Sequence, residues 1–443
     1  MQISMLFKAF VRKLMPRSAF GWYHWLASWT AALLFGLPAR NLVVIGVTGT
    51  KGKSTTCAML WHILQQSGYQ TGLISTAQFA IGDKVWLNDL KMTMPGRVKL
   101  QRLLRRMVAA GCTHLVLETS SEGLVQSRPA GIPYRLAVFT NLAPEHLESH
   151  GSYEAYRTAK GKLFTSLSRS KLPTASIINL DDKEAAYFLN FSATNRIGYT
   201  IQSRVRPGLS DILSASSLIV TPQQAQFIIN NKWSVTLSVG GVFNVANALA
   251  ALGAARACGL ALAQAVKSLE SFTGTPGRLE FIKAGQPFAV VVDYAHTTES
   301  LEALYQTLAP AAHQAGGRLL VLLGSCGGGR DKAKREPLGR LAGRYADLVW
   351  VTNEDPYDED PMIIMQAVAR GVRASGKYEQ ENMWVVEDRR EAIAQALQRA
   401  EINDFVAISG KGSEQWLCVS GGQKIPWDDR QVVREELVRC MRQ

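Results

Sequence analysis

Gly46-Val47-Thr48-Gly49-Thr50-Lys51-Gly52-Lys53-Ser54-Thr55 follows the apolar run 42–45 and precedes a helical pattern over 56–66. The order is strand, glycine-rich loop, helix. Glycines at 49 and 52 let successive backbone N–H groups face inward with no Cβ in the way, so a triphosphate can rest at the helix N-terminus. Lys53 then reaches the β and γ phosphates, and the Ser54 hydroxyl serves as a ligand for Mg²⁺. A chance Lys-Ser at a glycine-rich turn would lack the flanking strand and helix, and both are present. The stretch predicts a chain that uses ATP or GTP.

At 443 residues the chain is longer than one hydrophobic core usually supports, which predicts two globular domains and a short extra piece. The 49 Lys+Arg against 36 Asp+Glu give a net charge of +13, suited to phosphate-bearing ligands or an anionic membrane surface. No basic run interleaved with aromatics and no helix-turn-helix or RNA-binding signature occurs, so nucleic acid is not expected as a partner. The six cysteines are scattered with no C-x-x-C spacing, against both a zinc ribbon and a disulfide framework. A reducing, cytoplasmic setting fits.

Residues 1–41 differ from the rest. Lys8, Arg12, Lys13 and Arg17 punctuate an apolar segment, and Trp22, Trp25 and Trp29 then fall on one helical face. A cleaved signal does not fit, because no A-x-A-like site is suitably placed and a nucleotide-binding loop follows; a full membrane span is borderline in length. Two readings stay open: an interfacial helix on the inner face of an anionic membrane, or a helix packed on the nucleotide domain. From 42 to 273 apolar strands (42–47, 71–76, 114–118, 136–140, 175–179) alternate with amphipathic helices such as 98–110, the pattern of a largely parallel sheet. Residues 227–239 read as a short β excursion and 242–258 as an alanine-rich helix. Gly274-Thr275-Pro276-Gly277 breaks the pattern. A second series of strands (288–293, 319–324, 348–352, 383–387, 405–409) then fills 274–443. The fold class is α/β: a P-loop parallel-sheet ATPase domain followed by a smaller, Rossmann-like α/β domain.

Glu118 closes one strand, where a carboxylate can meet the cation that Ser54 touches. Asn141-Leu142-Ala143-Pro144-Glu145-His146 follows the next, with Tyr156-Arg157-Thr158-Ala159-Lys160 shortly after. Gly241-Val242-Phe243-Asn244-Val245-Ala246-Asn247, Gly277-Arg278-Leu279-Glu280, Asp293-Tyr294-Ala295-His296 and Gly328-Gly329-Arg330-Asp331-Lys332-Ala333-Lys334-Arg335 come later in order. In this order the motifs resemble the Mur ligase superfamily of ATP-dependent amino-acid ligases, and within it the branch that makes the tripeptide of the peptidoglycan precursor. The resemblance runs from about residue 41 to the C-terminus.

It implies an ATP loop formed by Gly49, Thr50, Lys51, Gly52, Lys53, Ser54 and Thr55, with Lys51 where the family usually has Asn. Asn244 and Asn247 would face the adenine, and Arg278, Asp293 and His296 would approach the nucleotide from the second domain. Ser54, Glu118, His146 and Lys160 would attend Mg²⁺, with Lys160 carbamylated by CO₂. Lys53, Lys160, His146 and Lys334 would be the catalytic set, with Lys334 and Arg335 at the phosphate. Thr93, Ser120 and Arg128 would hold the acceptor peptide, although Glu122 stands where relatives commonly have His. Glu354, Asp355, Gly410 and Glu414 would receive the incoming amino acid. Tyr357 stands where diaminopimelate-adding members carry Arg, so a basic or neutral amino acid is expected.

The family's uridine-diphosphate-binding front domain has no counterpart in residues 1–41, so uridine recognition is unsupported and a lipid-linked acceptor is expected, with a nucleotide-linked one the alternative. Other readings are a folylpolyglutamate-synthase-like ligase, a ligase modifying a lipid-linked precursor, a P-loop switch or motor, and a non-catalytic P-loop scaffold at the membrane.

Overall fold

The computed structural model describes residues 17–145, 150–329 and 332–441, with side chains from residue 21 onward. An opening helix, α1 (Arg17–Leu34), leads into β1 (Val43–Thr48) and α2 (Lys53–Gln66). Then come β2 (Thr71–Ile74), β3 (Gln78–Ile81), β4 (Lys84–Leu87), α3 (Arg97–Ala109), β5 (His114–Glu118), α4 (Ser121–Val125), β6 (Tyr134–Phe139), α5 (Tyr153–Leu167), β7 (Ala175–Asn179), α6 (Ala185–Leu189) and β8 (Asn195–Thr200). Three strands, β9 (Asp211–Val220), β10 (Ala225–Ile229) and β11 (Trp233–Leu237), and two helices, α7 (Val242–Ala257) and α8 (Leu262–Glu270), complete this part.

These strands form one eleven-stranded sheet in the order β11-β10-β9-β8-β7-β6-β1-β5-β2-β3-β4. From β9 to β2 every neighbouring pair is parallel, and an antiparallel hairpin extends each side. Strand alternation explains the two-sided burial: Ile45 and Val47 join the core under α2, α7 and α8, while Val44 joins the core under α3 and α5. Two sequence expectations change. The strand expected over 71–76 stops at Ile74, because the Ser75 hydroxyl donates to the Gln78 carbonyl at 2.8 Å and turns the chain into β3. The short β excursion is three strands long and continues the main sheet beyond β8; the partly exposed side chains of β9 conceal it from hydropathy reading.

The second sheet has the order β12-β13-β17-β14-β15-β16. It contains β12 (Glu280–Ile282), β13 (Ala289–Asp293), β14 (Leu319–Leu323), β15 (Leu348–Thr352), β16 (Met383–Val386) and β17 (Phe405–Ser409), parallel except for β12. On one face lie α9 (Thr298–Gln314), α10 (Arg335–Tyr345) and α11 (Pro361–Arg373); on the other lie α12 (Arg389–Gln398) and α13 (Asp429–Cys440). A small hairpin, β18 (Trp416–Val419) with β19 (Gln423–Pro426), stands beside them.

Helix α1 packs on α3, where Arg97 meets His24 Nδ1 at 2.5 Å and lies over the Tyr23 ring; Ser28, Ala31 and Ala32 of α1 are buried, Ala32 beside Gly131. Trp22, Trp25, Leu26, Leu33 and Leu34 remain exposed, while Trp29 is half-buried beside Gly131. Among the described residues no helix is long and apolar enough to cross a membrane.

Candidate active site

The carboxyl edge of β1 turns into α2 through Gly49–Gly52, and the two glycines are sterically required there. A Cβ on Gly49 would sit 1.9 Å from Thr140 Oγ1, and one on Gly52, whose φ is +80°, would sit 2.2 Å from Asn247 Oδ1. Gly52 occupies the N-cap of α2 and offers no side chain, so the first-turn N–H groups stay available to an anion. The loop is tied from the next strand: Asn141 Oδ1 accepts from the Lys51 amide at 2.8 Å, and Thr140 Oγ1 donates to the Lys51 carbonyl at 2.7 Å. Lys53 folds back to donate to the Thr50 carbonyl at 2.8 Å. A phosphate cradle of this shape fits a nucleoside triphosphate.

Glu118, at the end of β5, is buried beside the loop. It accepts from Ser54 Oγ at 2.9 Å, from the Thr76 amide at 2.7 Å and from Thr76 Oγ1 at 2.9 Å. A hydroxyl and a carboxylate converging next to a phosphate cradle are the hard oxygen donors Mg²⁺ requires, so Ser54 and Glu118 would hold it. Lys160, on α5, is also buried; its Nζ donates to the Gly49 carbonyl at 2.7 Å and lies 4.3 Å from the centre of the Tyr156 ring. Burial, reinforced by the nearby charge of Lys53, pushes its pKa well below the usual lysine value. Lys51 is lowered too, chiefly by burial, against the pull of Glu145 at 3.0 Å. His146 lies outside the described residues, as do Arg330 and Asp331.

The second sheet closes the site. Thr50–Thr55, Asn244, Asn247, Arg278, Asp293 and His296 share one cavity of about 380 Å³ with Glu118 and Thr93. Asp293 is fixed by accepting from the Leu279 amide at 2.6 Å and the Ala295 amide at 2.7 Å, and burial raises its pKa. The Arg278 guanidinium stacks 4.1 Å above the centre of the Tyr294 ring. His296 Nδ1 lies 2.7 Å from the Tyr294 carbonyl, which can only accept, so Nδ1 carries the proton. Burial, with the charges of Lys51 and Lys334, pushes the His296 pKa down to about 3, leaving Nε2 an acceptor at neutral pH.

Not every expected residue converges. Lys334 reaches the His296 carbonyl at 3.0 Å, beside the cavity, but Arg335 is buried against Glu359 at 3.0 Å and the Cys326 carbonyl. Arg335 therefore holds its own loop. Arg128 is similarly occupied: Nη1 donates to the Met94 carbonyl at 2.6 Å, and Nε and Nη2 both donate to Gln126 Oε1. Ser120 caps α4, accepting from the Gly123 amide at 3.2 Å. Asn244, which lines the cavity, is held by its Nδ2 donating to the Gly240 carbonyl at 2.7 Å and its Oδ1 accepting from Asn247 at 3.0 Å.

A second cluster forms at the carboxyl edge of the second sheet. Asp355 and Glu414 both accept from the buried Lys411, at 3.0 and 2.9 Å, and both are met by Lys91 from the first part of the chain. Glu354 is buried, accepts from Cys326 Sγ at 2.8 Å, and approaches Gly410 so closely that a Cβ there would lie 2.5 Å from its Oε2. Sequence reading passed over Lys91, Thr76 and Tyr156. Thr76 had a signal, its place just past a strand end; Tyr156 had a weaker one, one helical turn before Lys160; Lys91 sits in a loop and had none.

A P-loop, a buried carboxylate suited to a divalent cation and a second α/β sheet facing the same cavity make this a nucleotide-binding α/β protein. Residues 47–255 match the family model described as Mur ligase middle domain, and residues 277–412 match Mur ligase, glutamate ligase domain. The chain is 37% identical over 421 residues to the UDP-N-acetylmuramyl-tripeptide synthetase of Roseiflexus sp. (strain RS-1), covering 92% of this chain and 81% of that protein. It is also 37% identical to the UDP-N-acetylmuramoyl-L-alanyl-D-glutamate--2,6-diaminopimelate ligase of Streptomyces coelicolor, covering 92% and 78%. A solved structure of a ligase bearing that name superposes with a TM-score of 0.59 at 30% identity, over 90% of this chain and 78% of the other. Folylpolyglutamate synthase from Mycobacterium tuberculosis shares the fold, with a TM-score of 0.65 at 18% identity over 86% and 91%. The chain belongs to the Mur ligase family of ATP- and Mg²⁺-dependent, amide-forming enzymes.

Proposed function

We propose that the chain joins an amino acid to a carboxylate of a peptidoglycan-precursor peptide, with residues 42–273 as the ATP-binding domain and 274–443 as the domain that brings the amino acid. The observation that carries the reading is the shared cavity, where the P-loop and Glu118 face Arg278, Asp293 and His296. The γ-phosphoryl group of ATP passes to the acceptor carboxylate, giving an acyl phosphate and ADP. The amine then attacks the acyl carbon, phosphate leaves, and the amine proton goes to solvent. Lys53 and the α2 N–H groups stabilise phosphate charge. Ser54, Glu118 and, in this reading, His146 would hold Mg²⁺, which would supply positive charge opposite the transferring phosphoryl group.

Lys160 is proposed to carry a carbamate. Its depressed pKa favours the neutral amine, whose nitrogen adds to the carbon of CO₂ with loss of one N–H proton, turning a buried cation into an anionic oxygen donor. The test of the whole reading is phosphate release against a panel of amino acids and stem-peptide acceptors. Amino-acid-dependent release with a precursor peptide is the expected result, with basic or neutral amino acids preferred; release dependent on folyl acceptors instead would transfer the chain to the alternative ligase class.

A lipid-linked acceptor met at the cytoplasmic face of the membrane is the finer reading. Support comes from the exposed Trp22, Trp25, Leu26, Leu33 and Leu34 of α1, beside the exposed Lys99, Arg102, Arg105 and Arg106 of α3. Apolar area next to cations suits an anionic bilayer surface. The full chain is expected to co-sediment with phosphatidylglycerol-containing vesicles at low salt, and replacing Arg102, Arg105 and Arg106 with Gln to weaken this by about 100-fold, at roughly 1 kcal/mol per cation. No binding at low salt would leave a soluble, nucleotide-linked acceptor. Self-association that follows Trp22 and Trp25, with vesicles ignored, would make α1 a contact between copies of the chain.

A further inference from the structure

We propose that Lys91 is a positioning residue that latches the acceptor-side loop, residues 88–94, onto the amino-acid pocket of the second domain, so that closing the cleft and ordering the acceptor loop are one event. Its ammonium lies between Asp355 Oδ2 and Glu414 Oε2, the latter at 3.1 Å, with all three side chains largely buried. Burial alone would lower the lysine pKa, but Glu414 and Asp355 outweigh it and keep the ammonium charged.

The loop is built to hold that group in place. Asn88 is buried; its Nδ2 donates to the Ser75 carbonyl at 2.9 Å and the Met92 carbonyl at 3.0 Å, and its Oδ1 accepts from the Leu90 amide at 2.8 Å. Lys91 itself has φ +51°, a left-handed conformation that an L-residue keeps only when its surroundings over-determine it. A second tie crosses the same gap, from Trp416 Nε1 to the Asp89 carbonyl at 2.9 Å.

The position of the loop in the site gives the latch its consequence. Two residues past Lys91, Thr93 Oγ1 lies 2.9 Å from Thr76 Oγ1, which is itself 2.9 Å from Glu118 Oε1. One residue further, the Met94 carbonyl accepts from Arg128. Four consecutive residues therefore connect the acids of the amino-acid pocket to the cation-side carboxylate and to the arginine expected near the acceptor. Without Lys91, Asp355 and Glu414 would share only Lys411, and two partly unneutralised carboxylates across the cleft would favour its opening.

The kinetic arm of the test rests on the ligase reading, and the scattering arm does not. In the full-length Lys91→Met protein, kcat/KM for the acceptor is expected to fall about 10-fold or more through misplacement of the loop, while the dissociation constant for ATP stays unchanged. Small-angle X-ray scattering should show a larger radius of gyration than wild type with an ATP analogue bound. Lys91→Arg, which keeps the cation, should recover most of both. Trp416→Phe removes the hydrogen bond to Asp89 while keeping a smaller aromatic ring there, and should shift both measures in the same direction by less, which keeps the latch testable if Lys91→Met does not fold. A Lys91→Met protein with wild-type acceptor kinetics and radius of gyration, or one that loses ATP affinity in parallel, overturns the latch. A wild-type chain that turns over no acceptor counts against the ligase reading and leaves the scattering comparison to decide the latch.

Discussion

Lys53→Ala is expected to lower ATP turnover by about 10³-fold, in the range seen when one preorganised donor to a developing oxyanion is removed. The fold should survive. Lys53 opens α2 from an accessible loop, its one described hydrogen bond goes to the Thr50 carbonyl three residues back, and the buried faces of α2 begin with the residues after it. The loop keeps its shape through contacts that do not involve this side chain: Asn141 and Thr140 hold Lys51, and the Thr50 hydroxyl accepts from the Ala143 amide at 3.0 Å. The melting temperature should therefore stay close to wild type while phosphate release collapses at saturating amino acid. A change confined to KM for ATP would mean that Lys53 binds ground state and transition state alike, so the kcat measurement is the decisive one. Retained amino-acid-dependent ADP production in Lys53→Ala would remove the phosphate role.

The front half of the site was legible because it obeys local rules. Apolar runs ending in Gly49 or Glu118 announce strands whose carboxyl ends carry chemistry, and β1, β5 and β7 lie within a residue of where hydropathy places them. What the motifs could not convey was which partner each charged side chain would choose. Arg128 and Arg335 read as anion grips; Arg128 donates from Nε and Nη2 to Gln126 and from Nη1 to Met94, and Arg335 pairs with Glu359, because partners distant in sequence or held in loops compete for a guanidinium on equal terms. The tryptophan spacing on α1 fitted either a packed or an interfacial helix, and the side chains divide: Trp22 and Trp25 are exposed while Trp29 is half-buried beside Gly131. Lys91 carried no signal at all. Its role depends on a cleft that exists only when residues 264 positions apart in sequence meet.

Lys160→Ala should lose at least about 10²-fold in turnover, by analogy with removal of a charged group that acts directly on the transferring phosphate. Truncating a fully buried lysine also leaves a cavity, so a loss of about 2–4 kcal/mol in stability is expected alongside and has to be measured separately. Two structural roles compete for this side chain. As an unmodified amine it would merely tether the Gly49 carbonyl at 2.7 Å, and its loss would slacken the loop. As a carbamate it would present an anionic oxygen beside Glu118 and Ser54, strengthening the oxygen-donor set for a hard cation. The depressed pKa bears on the choice: at neutral pH a normal lysine is almost wholly protonated and unreactive toward CO₂, whereas burial and the charge of Lys53 here enlarge the neutral fraction. The carbamate reading makes wild-type activity fall in CO₂-depleted buffer and return with bicarbonate, and it lets acetate or formate restore part of the activity of Lys160→Ala by entering the vacated space. A tether has no reason to respond to either. Wild-type turnover indifferent to CO₂ removal, together with no carboxylate rescue of the variant, would leave Lys160 as a structural amine that tethers the Gly49 carbonyl.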